Sequence, residues 1–292
     1  MDKDAALLVE ESELGGRRPK GWSRHLLFGL GVAWSLFQLW ATELGTLDPL
    51  RLRAVHLAFA LALAFLAYPG KRGPKDRVPL LDWALALLGA LGALYVVWDY
   101  YGITQLRGGI PSDRDVVMGT LTLLVLFVAS WRVVGPALPI IASVFILYAL
   151  TGPKGLIPYT RPSWLQLHAG SQWGQLMGQL YTTAEGIWGV PLGVSATFVF
   201  LFVLFGALLE KAGAGHFFIQ AAYALLGHFR GGPAKAAVVA SALTGVVSGS
   251  SVSNTVTTGT FTIPLMKRVG YPPEKAGAVE VASSSNGQLM PP

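Results

Sequence analysis

Residues 245–268, GVVSGSSVSNTVTTGTFTIPLMKR, place ten Ser, Thr and Asn residues and three Gly between two hydrophobic arms, in a chain whose mean hydropathy is +0.51. Residues 234–249 amount to about 24 Å as helix, and the return over 256–267 is shorter, so neither arm covers the roughly 30 Å of a bilayer core. Arg230 and Lys235 precede the first arm, while Lys267 and Arg268 follow the second. Both ends therefore belong on one side, and the segment reads as a re-entrant hairpin over 234–268 that turns near mid-membrane. Irregular backbone at that depth is tolerated only where it is buried in protein or lines a water-filled cavity. The tip at 248–255 suits such a place. Gly249 relaxes the backbone, and Ser250, Ser251, Ser253, Asn254 and Thr255 supply neutral oxygens and a carboxamide. A small hard cation takes several oxygen ligands, and a carboxylate takes hydroxyl donors and the N-terminus of the returning half-helix. The simpler reading is that these small polar residues only mediate helix packing.

The rest of the chain sets that hairpin in a polytopic all-α membrane protein. Hydrophobic residues make up 52% and charged residues 13%, about half the charged share of a soluble domain. Apolar runs predict six spans near 22–44, 52–68, 80–98, 116–134, 136–150 and 191–209. Trp22, Trp40, Trp83, Trp98 and Trp131 fall near span ends, where indole rings favour the headgroup region, and Trp34 reads as packed between helices. With the N-terminus in the cytoplasm, 16 of the 22 Lys and Arg residues fall on the inside, in keeping with the positive-inside rule. Their scatter between spans argues against a nucleic-acid surface despite the formal charge of +6. Residues 1–21 read as a retained cytoplasmic tail, since no small-residue cleavage site follows them. Residues 152–191 are too polar to cross and read as an outside connector with an interfacial amphipathic helix near 164–183. Residues 210–235 carry an apolar helix too short to cross, expected along the cytoplasmic face.

Other chemistry finds less support. The absence of Cys removes disulfides and thiolate chemistry. An intramembrane serine hydrolase on Ser250 or Ser251 needs a base at the same depth, and His25, His56, His168, His216 and His228 read as interface or loop residues. No pair of His or carboxylates has metal-ligand spacing within a span. Glu280, about two turns into the next predicted helix, is a functional candidate, or else an interfacial partner of Lys275 or Arg268. Asp82 reads as an ordinary helix-start carboxylate. Pro264, Pro291 and Pro292 would break helices near the hairpin and free backbone groups for ligands, or else make packing kinks.

The segments GVPLGVSATFVFLFVLFGALLEKAGAGHFF, GGPAKAAVVASALTGVVSGSSVSNTVTTGTFTIPLMKRVGYPPEKAGAVE and ASSSNGQLMPP, which run over 189–292, resemble the fused membrane subunit of tripartite ATP-independent periplasmic (TRAP) transporters, of the type served by TAXI-class binding proteins. Residues 22–135, with LRGGIPSDRDVVMG from Leu106, look like the small four-helix subunit of that family. The resemblance implies a tail at 1–21, a small-subunit-like region at 22–135, a linking helix and periplasmic connector at 136–190, and the first part of an elevator-type, ion-transporter-like large subunit at 191–292. It implies a sodium-coupled secondary importer of organic acids in the inner membrane, with Na+ as coupling ion and a periplasmic TAXI-type binding protein as partner. Ser253, Asn254 and Thr255 match the Ser-Asn-Thr element of the wider fold, and Gly287 would lie beside it. On this basis Gly249, Ser253, Asn254 and Gly287 are the expected sodium residues, and Ser251, Thr255, Thr258 and Asn286 the expected substrate residues. The family pattern has Ala at the position of Ser253 and Gly at that of Asn286, which alters the ligand set. Family members continue through further helices and a second, inverted hairpin, so the sequence is expected to hold the first repeat only. A partner chain with the second repeat, or a role as a non-transporting membrane anchor, are the alternatives.

Overall fold

The computed structural model describes residues 16–17, 19–45, 47–70, 73–158, 168–249 and 251–289, with backbone alone at 248, 252 and 253. The described residues are helical with no β-strand element among them. Among the described residues five helices are long and apolar enough to cross a membrane: α1 (Trp22–Glu43), α2 (Pro49–Ala67), α3 (Leu80–Trp98), α4 (Asp113–Val133) and the composite helix Val190–Lys211. The protein is a multi-pass membrane protein. The sixth predicted span, α5 (Ala137–Leu150), has 14 residues, about 21 Å of helix. The chain divides into two compact units, residues 16–197 and the part from Phe198 onward.

In the first unit α2 is central, burying Leu57, Leu61, Phe65 and Leu66. Small residues at helical spacing on α3, Ala86, Gly89 and Ala93, let its backbone approach closely. A Cβ placed on Gly89 would lie 3.0 Å from both Leu61 and Val125. Helix starts follow their local chemistry. The Asp48 carboxylate accepts from Leu50 N–H at 2.8 Å ahead of Pro49, and Ser112 and Asp115 form a reciprocal cap on α4.

The connector departs from expectation. Over its described part the predicted interfacial helix is a short turn, α6 (Trp173–Met177), continued by a wider turn at Gly178–Thr182. Instead of lying on a surface it enters the bundle, where Tyr181 and Trp188 are fully buried. The Tyr181 hydroxyl donates to Gly92 O, and Trp188 Nε1 donates to Tyr181 O at 2.6 Å. Two large rings whose polar handles both find carbonyl partners fill the bundle better than they would cover an interface.

Two polar readings are also corrected. Asp82 is buried, and takes the Arg17 guanidinium on one oxygen and Arg132 Nη1 at 2.6 Å on the other. Arg17 has no exposed side-chain surface and also donates to Phe65 O at 2.8 Å. His56 is not at an interface. It is buried in α2, with Nδ1 accepting from Trp34 Nε1 and Nε2 3.3 Å from Ser195 Oγ. That pairing places the ring proton on Nε2, donating to Ser195. Trp34 is packed between helices as expected, stacked on Phe59.

The second unit holds α8 (Phe200–Lys211), which follows α7 (Val190–Val194) and the wider turn Ser195–Val199 within the composite helix. After it come α9 (Ala214–Leu226), α10 (Gly232–Ser248), α11 (Ser251–Arg268), α12 (Pro273–Ser284) and the single turn α13 (Asn286–Leu289). Ile219 and Ala222 of α9 pack on Ala236 and Ala240 of α10, while Ala237, Met266 and Ala276 join α10, α11 and α12.

Removing one partner of a buried ion triad leaves the others uncompensated. Asp82→Ala is expected to destabilise the chain by about 3–5 kcal/mol in mixed-micelle unfolding, while Arg77→Ala, at an exposed position, leaves the transition unchanged.

Candidate ion and substrate site

The hairpin is two antiparallel helices of 17 and 18 residues, α10 and α11, about 25 and 27 Å long. Gly249 makes the turn in the left-handed region at φ +62°, with its N–H bonded to Gly245 O at 2.9 Å. The returning helix starts at Ser251, five residues before the sequence reading placed it, so the polar tip is mostly regular helix. The hydroxyls that weaken helices in water have partners here. Thr255 Oγ1 donates to Ser251 O at 2.8 Å, Thr258 Oγ1 lies 2.7 Å from Asn254 O, and Thr262 Oγ1 lies 3.0 Å from Thr258 O. Pro264 does not break α11, which runs on to Arg268, although Pro264 has no N–H to offer the Thr260 carbonyl.

Asn254, fully buried, is the polar centre of the hairpin. Its Nδ2 donates across to α10, to Ser241 O at 2.8 Å and to Ser241 Oγ at 3.0 Å. Its Oδ1 is buried without a hydrogen-bond partner among the described residues. Gly245 and Gly287 bring α10 and α13 together at the same place. A Cβ on Gly245 would lie 2.8 Å from Gly287 Cα and 3.4 Å from Asn254 Nδ2.

Glu280 of α12 is fully buried against the same pair of helices. Thr258 and Thr262 hydroxyls bond its two carboxylate oxygens from successive turns of α11, and Ser284 Oγ, one turn on in α12, donates to Oε1 at 3.2 Å. Ser284 Oγ is also 3.2 Å from Ser241 Oγ. Among the described residues neither Lys275 nor Arg268 forms an ion pair with Glu280, so the interfacial pairing does not hold; the carboxylate is held by hydroxyls.

The structure thus brings Asn254 and Gly287 together and places Thr258 beside Glu280. Ser251 and Thr255 are half-buried in the first turns of α11, Gly249 forms the corner, and Asn286 is half-buried beside Gly287. The side chain of Ser253 and all of Ser250, Pro291 and Pro292 lie outside the described residues. Sequence reasoning missed Ser241, Gly245, Thr262 and Ser284. Their signal is helical spacing, since Ser241 and Gly245, Thr258 and Thr262, and Glu280 and Ser284 are each four apart.

The family model for the tripartite ATP-independent periplasmic transporter, DctM component, matches residues 121–292, more than half of the chain. The chain belongs to this family. The match includes both hairpin arms and every residue of the site, and it begins within α4, well upstream of Gly189. The chain is 37% identical over 91 residues to the C4-dicarboxylate TRAP transporter large permease protein DctM of Rhodobacter capsulatus, covering 31% of this chain and 21% of that protein. Against the sialic acid TRAP transporter permease protein SiaT of Haemophilus influenzae it is 32% identical over 91 residues, 31% of this chain and 15% of the relative. Against the ectoine TRAP transporter large permease protein TeaC of Halomonas elongata it is 28% identical over 116 residues, 40% of this chain and 27% of the relative. The chain therefore spans about a fifth of the length of the curated relatives it matches. No solved structure matches it significantly.

At Gly245 any added carbon meets backbone, which cannot rotate away. Gly245→Ala is expected to destabilise the protein by about 1–3 kcal/mol. Gly215→Ala, whose Cβ would meet only Thr244 Cγ2 at 3.7 Å, is expected to leave the same mixed-micelle unfolding transition in place.

Proposed function

We propose that this TRAP-family chain is the membrane permease component of a sodium-coupled secondary importer of organic acids, supplied by a periplasmic binding protein of the TAXI class. The observation that carries the reading is the Asn254 carboxamide oxygen, buried between the arms of the hairpin and without a donor among the described residues. A buried carbonyl oxygen left unpaired is costly, and a hard cation is the partner that such an oxygen suits. The donor set fits Na+, since it consists of neutral oxygens without thiol or imidazole. Asn254, with Gly249, Ser253 and Gly287, would hold the ion, which supplies a local positive charge when bound.

The chain's own residues divide the remaining work. Ser251 and Thr255 stand at the N-terminal end of an 18-residue helix, where free N–H groups and the helix dipole favour an anionic group. Asn286 flanks Gly287 and offers a further amide. The Thr258 hydroxyl, with one proton to give, faces two acceptors, Asn254 O and Glu280, so its part is to brace the site instead of meeting substrate. Closure of Asn254 and Gly287 around an ion orders the corner that also presents Ser251 and Thr255, and that shared ordering is how ion and substrate binding become coupled. The names of two relatives, a C4-dicarboxylate and a sialic acid transporter permease, support a carboxylate class. The excess of Lys and Arg on one side supports a cytoplasmic N-terminus in the inner membrane.

The test is uptake into proteoliposomes with the cognate binding protein, comparing sodium with choline gradients. Uptake is expected to require sodium and to fall to background in Asn254→Ala. Sodium-independent uptake, or an active Asn254→Ala protein, would overturn the assignment.

A further inference from the structure

We propose that Ser241, Ser284 and Glu280 are positioning residues that lock the Asn254 carboxamide in the one orientation that presents its oxygen to a cation. The proposal rests on reading Asn254 as a cation ligand. Each hydroxyl has one proton to give, so the direction of the bonds between these side chains is determined. Glu280, when ionised, accepts only. Ser284, 3.2 Å from Glu280 Oε1, therefore gives its proton to the carboxylate. The Ser241–Ser284 contact at 3.2 Å must then be donated by Ser241. Having spent its proton, Ser241 Oγ accepts, and the group it faces at 3.0 Å must be the Asn254 NH2. Every donor points the same way, from Asn254 through Ser241 and Ser284 to Glu280.

The second amide proton goes to Ser241 O at 2.8 Å, which again accepts only. Turning the carboxamide over would set two carbonyl oxygens against each other. It would also reverse both serine hydroxyls and withdraw a donor from Glu280. The amide is locked from two sides, and the locked orientation is the one in which Oδ1 is buried and unpaired among the described residues. The anchor of the chain is itself fixed, because Thr258 and Thr262 hold the Glu280 oxygens and Gly259 lies under its side chain, where a Cβ would come within 3.2 Å of Cγ. Donors aligned toward a carboxylate polarise one another, so the same chain enriches Oδ1 in electron density.

The experiment uses the full chain in nanodiscs. It measures sodium affinity from sodium-dependent thermal stabilisation at constant ionic strength, with choline as the replacement, and side-chain amide hydrogen exchange at Asn254 by NMR. Ser284→Ala and Ser241→Ala are expected to weaken sodium binding about tenfold and to speed Asn254 amide exchange, because each removes a hydroxyl that links two members of the chain. Glu280→Gln keeps an acceptor for Ser284 but removes the charge, and is expected to weaken binding about threefold. Ser283→Ala is the control, because Ser283 is also buried in α12 but donates to Val279 O outside the chain; both readouts should stay at wild-type values. Wild-type sodium affinity and amide exchange in Ser284→Ala and Ser241→Ala would overturn the proposal. A wild-type protein that shows no sodium preference sinks the cation reading instead. The positioning role is then decided by amide exchange alone, where fast exchange in the wild type refutes it.

Discussion

An acid withdrawn from water must be given a positive charge or a full set of donors, and this fold is arranged around three such acids. Asp82 and Asp115 in the first unit and Glu280 in the second are all buried. Asp82 is neutralised by Arg17 and Arg132, which ties the segment before α1 and the end of α4 to the start of α3. Asp115 caps its own helix, accepts the Tyr95 hydroxyl at 2.8 Å, and lies 3.1 Å from the Arg107 guanidinium, which closes the loop between α3 and α4. Glu280 is different in kind, because among the described residues its partners are hydroxyl groups. Arginine pairs fasten helix ends in the first unit, and a network of hydroxyls around one carboxylate fastens the hairpin to α12 in the second. A network of hydroxyls fixes side-chain orientation without a second charge, which suits the part of the molecule assigned to ligands.

Much of this was legible in the sequence because apolar runs and helical lengths are local properties. Spans α1 to α4, the hairpin and the corner at Gly249 follow from composition and spacing, while Asn254 was singled out by the family resemblance. What the sequence did not reveal depends on distant partners. Asp82 looked ordinary because Arg17 and Arg132 lie 65 and 50 residues away. The helical state of residues 251–255 was missed for a related reason. Ser, Asn and Thr are poor helix formers when solvated, and here Thr255 donates to Ser251 O and Asn254 to Ser241 across the hairpin. Ser241 sits in an otherwise bland, alanine-rich arm, where its four-residue spacing to Gly245 is the signal that the two share a face.

Glycine supplies the other organising principle. Gly89 lets α3 settle against Leu61 and Val125, and Gly245 lets α10 touch the backbone at Gly287. In both units the closest approaches use residues without side chains, as expected where apolar surroundings give helices little reason to associate except contact itself. The site inherits its precision from this, since Asn254 is placed by a backbone-to-backbone contact on one side and by hydrogen bonds on the other.

The buried connector bears on how the molecule is made. Tyr181 and Trp188 belong to the same core cluster as Leu57, Phe65 and Val96. That core cannot close when the fourth helix leaves the ribosome, because two of its largest rings are still to be synthesised. Until residue 188 arrives, the first bundle has an unfilled interior, and the Gly92 carbonyl has its helical partner but not the Tyr181 hydroxyl. Assembly of this half therefore finishes late and from the far end of its own sequence, with the connector acting as the keystone that joins membrane insertion to final packing.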